Sequence, residues 1–87
     1  MAEVLITFKV MPKDADTEID ALIEDIKGIK IAKLNDLEKI PVGFGLVSVS
    51  PSFITSDDEG GADKIESEIR NISSVGSTEV VEITRLL

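Results

Sequence analysis

Asp57, Asp58 and Glu59, followed by Gly60 and Gly61, place the densest run of hard oxygen ligands in the chain beside its most pliable backbone. Carboxylate oxygens of this kind suit a hard cation. The spacing does not match an EF-hand loop, which alternates its ligands and closes on a glutamate at the twelfth position. Acidic residues ahead of a helix are already accounted for by the positive end of its dipole, so a solvated loop is the expectation there. The glycine pair is not a phosphate cradle either, since it lacks both the lysine-bearing P-loop pattern and the dinucleotide fingerprint. Gly43-Phe44-Gly45 offers a different kind of chemistry. Its two glycines supply backbone angles that other residues avoid. The aromatic between them either packs into the core of a β-hairpin or stands at a loop tip as an anchor for a partner's pocket. The pattern alone favours core packing.

Catalytic chemistry has few groups to work with. The 87 residues contain no cysteine and no histidine, which removes thiol chemistry, the commonest general base and the commonest zinc ligand. A nucleophile would have to be Ser or Thr activated by Lys, or a carboxylate pair would serve as acid and base. Ser48, Ser50 and Ser52 share one face of a strand pattern, but no lysine is specified beside them. An enzyme is therefore the less favoured class, and no cofactor or metal is expected.

Charge and composition narrow the partners. The net charge is −8 and the pI about 4.3, a field that repels phosphate backbones, so no direct nucleic-acid partner is expected. With three Phe and no Trp or Tyr, a stacking platform for single strands is hard to build. No segment approaches the roughly 20 apolar residues that span a bilayer, and the N-terminus shows no signal peptide, which predicts a cytoplasmic protein with no membrane partner. The length predicts a single domain over residues 1–87, and the free protein is expected to be a monomer.

The elements that must position these residues follow from hydrophobic periodicity. Val4, Ile6, Phe8 and Val10 alternate with other residues, predicting a strand over Glu3 to Met11 that Pro12 ends. Ile19, Leu22, Ile23 and Ile26 form one helical stripe, predicting a helix from about Asp16 to Lys27 with Thr17 as N-cap and Gly28 as a left-handed C-cap. Ile29 to Ile40 reads as a strand interrupted at Asn35-Asp36. A third strand carries Val47, Val49, Pro51 and Phe53 on one face, with Pro51 marking an edge or a bulge. Ala62, Ile65, Ile69 and Ile72 line a second helix, and Asn71 to Gly76 reads as its end and a turn. Thr78 to Leu86 is a last strand, with Val81 and Ile83 on one face and Val80 and Leu86 on the other. The resulting fold class is α+β, a ferredoxin-like βαββαβ arrangement of a four-stranded antiparallel sheet with two helices on one face. Acylphosphatase shares that topology, but its phosphate cradle needs an arginine where this chain has Pro12-Lys13-Asp14-Ala15-Asp16.

Three segments in order resemble the archaeal elongation factor 1-beta family: Lys9-Val10-Met11-Pro12, Ile40-Pro41-Val42-Gly43-Phe44-Gly45-Leu46, and Ile83-Thr84-Arg85-Leu86-Leu87. The resemblance covers the whole chain. It implies a guanine-nucleotide exchange factor that promotes GDP release from the GTPase elongation factor 1-alpha during protein synthesis, with no catalytic residues of its own. It further implies that Phe44 docks on that GTPase, and it marks Pro41, Gly43, Gly45, Arg85, Leu86 and Leu87 as partner-binding positions. Eukaryotic relatives use a lysine next to the C-terminus to disturb the magnesium and phosphate region, and Leu86 occupies that place here. Arg85 is one residue earlier and points to the opposite face if the strand continues. Either Arg85 substitutes for the lysine, or exchange proceeds by displacing switch elements without a cation. The alternative reading is a ferredoxin-like regulatory or small-ligand-binding module, which would bury Phe44.

Overall fold

The computed structural model describes residues 3–43, 45–56 and 61–86. In chain order the elements are β1 (Glu3–Pro12), α1 (Ile19–Lys27), β2 (Lys33–Gly43), β3 (Leu46–Ser56), α2 (Gly61–Arg70) and β4 (Val75–Leu86). The strands form one sheet in the order β2-β3-β1-β4, every neighbouring pair antiparallel. This is the expected ferredoxin-like α+β fold.

The period-two pattern of β1 buries Val4, Ile6, Phe8 and Val10 on one face. Val49 and Phe53 of β3 join them, and Leu22, Ile23 and Ile26 of α1 with Ile65 and Ile69 of α2 close the core from the other side. Phe8 and Phe53 meet edge to face, with ring centroids 6.1 Å apart, a geometry that the ring quadrupoles favour.

Several local expectations change. Helix α1 begins at Ile19, and Glu18 is the N-cap with no side-chain cap bond. Thr17 does not cap it because its hydroxyl is engaged in the preceding turn, accepting from the Asp14 N–H at 3.2 Å and donating to an Asp14 carboxylate oxygen at 3.3 Å. Gly28 is right-handed, at φ −75° and ψ −10°, so the helix ends by sharing the Gly28 N–H between the Glu24 and Asp25 carbonyls rather than through a left-handed cap. Strand β2 starts at Lys33 rather than Ile29, because Ile29 is drawn into the core, and its irregularity is a register shift between Leu34 and Asp36.

Pro51 stands in a central strand, not at an edge, and is buried. Pairing to β2 continues through Leu37↔Pro51, whereas pairing to β1 stops at Thr7↔Ser52 and resumes at Val10↔Val49. The donor that proline lacks therefore falls on the β1 side, where the ladder is already open. Strand β4 also departs from expectation. A register shift at Val81 lets Val80 pair with Phe8 and Ile83 with Ile6, so Val80 and Ile83 share one face.

Candidate functional site

The turn between β2 and β3 is built by its glycines. Gly43 and Gly45 have φ of +97° and +78°, a region where a β-carbon is strained. A β-carbon at either position would meet nothing within 4 Å, so the requirement lies in the backbone and not in crowding. Below the turn, Ile40 pairs with Ser48, Pro41 with Val47 and Gly43 with Leu46, leaving Val42 as the extra residue of a bulge. The buried Ser48 hydroxyl donates to the Ile40 carbonyl at 3.1 Å and fixes the base of the hairpin. Pro41 is tolerated because β2 is an edge strand. The turn thus presents Ile40, Pro41, Val42, Gly43 and Gly45 to solvent. Phe44 lies outside the described residues, as do Asp57 to Gly60 and Leu87.

The C-terminal half of the expected site is elsewhere. Arg85 pairs with Val4 and Leu86 with Glu3, at the end of the sheet where β1 begins. Leu46, beside the hairpin turn, is ten register steps along β3 from Ser56, which pairs with that same Glu3, roughly 33 Å at strand rise. Strands β2 and β4 are also the two opposite edges of the sheet. Pro41, Gly43 and Gly45 therefore lie diagonally across the sheet from Arg85 and Leu86. Arg85 and Leu86 occupy opposite faces, as strand alternation requires. The described residues hold no cluster of three or more metal-ligating side chains.

The serine stripe has a structural use. Ser52 shares a hydrogen bond of 3.0 Å with Thr7 across the β1–β3 pair, and the Ser48 hydroxyl is the one at the hairpin base. Sequence reasoning missed the exposure of Ile40 and Val42, 43% and 40%. Their one visible signal is an apolar pair flanking a proline in an edge strand.

Comparison with known proteins adds a family to this geometry. The sequence profile of the EF-1 guanine nucleotide exchange domain matches residues 5–86. The chain is 38% identical over 87 residues to elongation factor 1-beta of Methanocorpusculum labreanum, covering all of both proteins. It is 36% identical to that of Thermoplasma acidophilum, over 95% of this chain and 99% of the other. Against that of Haloarcula marismortui the identity is 34%, over 99% and 100%. Among solved structures, the ACT domain from GTP pyrophosphokinase of Chlorobium tepidum superposes with a TM-score of 0.61 at 9% identity, covering 91% of this chain and 99% of that one. That likeness concerns the fold alone.

Proposed function

This chain belongs to the family of EF-1 guanine nucleotide exchange domains, and from that premise we propose that it accelerates GDP release from the translation GTPase elongation factor 1-alpha. The observation that carries the reading is the match of the family profile to residues 5–86, which takes in the glycine-built hairpin and the strand holding Arg85 and Leu86. An exchange factor needs no reacting group. It binds the nucleotide-free GTPase more tightly than the GDP-bound form, and by linkage it weakens GDP to the same degree.

The chain's own residues divide that work. Gly43 and Gly45 hold the turn open, Pro41 stiffens the strand leading into it, and Phe44 is the anchor that enters a pocket of the GTPase. Arg85 and Leu86, at the far corner of the sheet, make a second contact, to which Leu87 contributes. A partner engaging both must present a surface on the order of 30 Å long, given the strand rise between them. The charge of −8 steers the molecule toward a basic face and away from nucleic acid.

Stopped-flow release of a fluorescent GDP analogue from elongation factor 1-alpha tests this division. Phe44→Ala is expected to lower the acceleration by at least about tenfold, the effect of deleting a hot-spot aromatic. Arg85→Ala distinguishes the two routes at the C-terminus: a comparable loss assigns Arg85 the part of the missing lysine, and full activity assigns exchange to displacement of switch elements. Phe44→Ala with the acceleration of the wild type would remove the anchor role.

A further inference from the structure

The glycine turn between β2 and β3 stands clear of its surroundings. A β-carbon at Gly43 or Gly45 would meet nothing within 4 Å, and both backbones sit at positive φ, where glycine alone is at ease. The direction of the turn is therefore set below it, where the two arms join the sheet. There the ladder slips: Pro41 pairs with Val47 and Gly43 with Leu46, with Val42 left over, and a bulge of this kind bends its strand. One step before the slip Ile40 pairs with Ser48, and the Ser48 hydroxyl donates to the Ile40 carbonyl at 3.1 Å. Ser48 is the one polar residue buried as a whole among the described residues, at 1% exposure. It lies on the sheet face away from the helices, since its neighbour Val49 belongs to the core. Ser50 and Ser52 on that same face are only half-buried. A valine would suit a strand better, so packing does not call for a hydroxyl at this place; the bond to β2 does.

We propose that Ser48 is a positioning residue for nucleotide exchange: its hydroxyl locks β2 to β3 beneath the Val42 bulge and so aims the turn between Gly43 and Gly45. This rests on the exchange-factor reading. The turn lies about 10 Å beyond Ser48 at strand rise, so a tilt of about 10° at its base moves the tip by roughly 2 Å. A recognition group must be held to about half an ångström. Without the hydroxyl the Ile40 carbonyl loses a donor while the backbone pairing remains, so the arms stay joined but their mutual twist loosens. The turn then samples several directions, and the cost of ordering it falls on binding. Ser48 is too deeply buried to touch a partner itself. It acts through the turn.

The test compares the wild type, Ser48→Ala, Phe44→Ala and the double variant. Release of a fluorescent GDP analogue from elongation factor 1-alpha is followed against factor concentration, and urea unfolding establishes that each variant is folded under the assay conditions. Ser48→Ala is expected to raise the concentration for half-maximal acceleration roughly five- to tenfold, the cost of an anchor no longer held ready, with the saturating rate near that of the wild type. In the Phe44→Ala background the same change is expected to add little, because the turn has lost the group that it aims. That failure of additivity is what separates positioning from stability. An equal loss with and without Phe44 would overturn the proposal, assigning Ser48 to the stability of the sheet. So would a Ser48→Ala curve that overlays the wild type, and so would a Phe44→Ala curve that does, since the turn would then aim nothing. In each of these cases the wild type still accelerates release. A wild type without any acceleration would instead bring down the exchange reading and this inference with it.

Discussion

Gly76 packs directly against the backbone that follows β1. A β-carbon there would stand 2.7 Å from the Pro12 carbonyl oxygen and 3.0 Å from the Lys13 α-carbon, atoms that cannot swing aside as a side-chain end would. Gly76→Ala is expected to lower stability by about 1–3 kcal/mol, the usual cost of overpacking, read as a lower midpoint in urea unfolding. Gly45 is constrained differently, by its φ of +78° in open space. Gly45→Ala is expected to cost about 1–2 kcal/mol from the left-handed backbone. Gly45→Asn is expected to cost less, because Asn visits that region more readily; equal losses in the two unfolding curves would contradict the conformational account. The glycine turn was legible in the sequence because Gly-x-Gly after a proline has few other uses. The Thr17 cap was not, since whether a hydroxyl serves the helix or the turn before it depends on distances of a few tenths of an ångström.

Strands and helices were legible as elements because each carries one clean period. Alternation in β1 and the stripes Leu22-Ile23-Ile26 and Ile65-Ile69 name the residues that the core buries. Register was not legible. Val80-Val81-Glu82-Ile83 fits either face assignment until a bulge chooses one, and Pro51 reads as an edge residue because nothing in sequence shows that the ladder beside it is open. Packing at this scale dominates over charge. Phe53→Ala removes a fully buried ring set edge to face against Phe8 and is expected to cost about 3–5 kcal/mol, a large part of the 5–15 kcal/mol typical of a domain. Lys39→Ala breaks a 3.1 Å ion pair to Asp20 that ties β2 to α1, yet the side chains are 54% and 80% exposed, so a change within about 0.5 kcal/mol is expected. Chemical denaturation of the two variants side by side decides the ranking.

Across the whole molecule, 17 acidic against 9 basic residues produce self-repulsion that salt relieves and a long-range field that salt weakens. Raising sodium chloride from about 0.05 to 0.5 M, a span over which the screening length falls from well above 10 Å to a few ångströms, is expected to raise the unfolding midpoint. The same change is expected to slow association with a basic partner, as seen in binding rates. The candidate site also belongs to this scale. Its residues could be named from the chain, but their placement at diagonal corners of the sheet follows only from the strand order β2-β3-β1-β4, which no local pattern contains. The exchange reading is tested most directly by the release of a fluorescent GDP analogue from elongation factor 1-alpha at increasing concentrations of this protein, with excess unlabelled nucleotide present. A release rate that climbs with concentration and saturates is the predicted result. A rate unchanged at every concentration, on a GTPase verified to bind and exchange nucleotide, would contradict it.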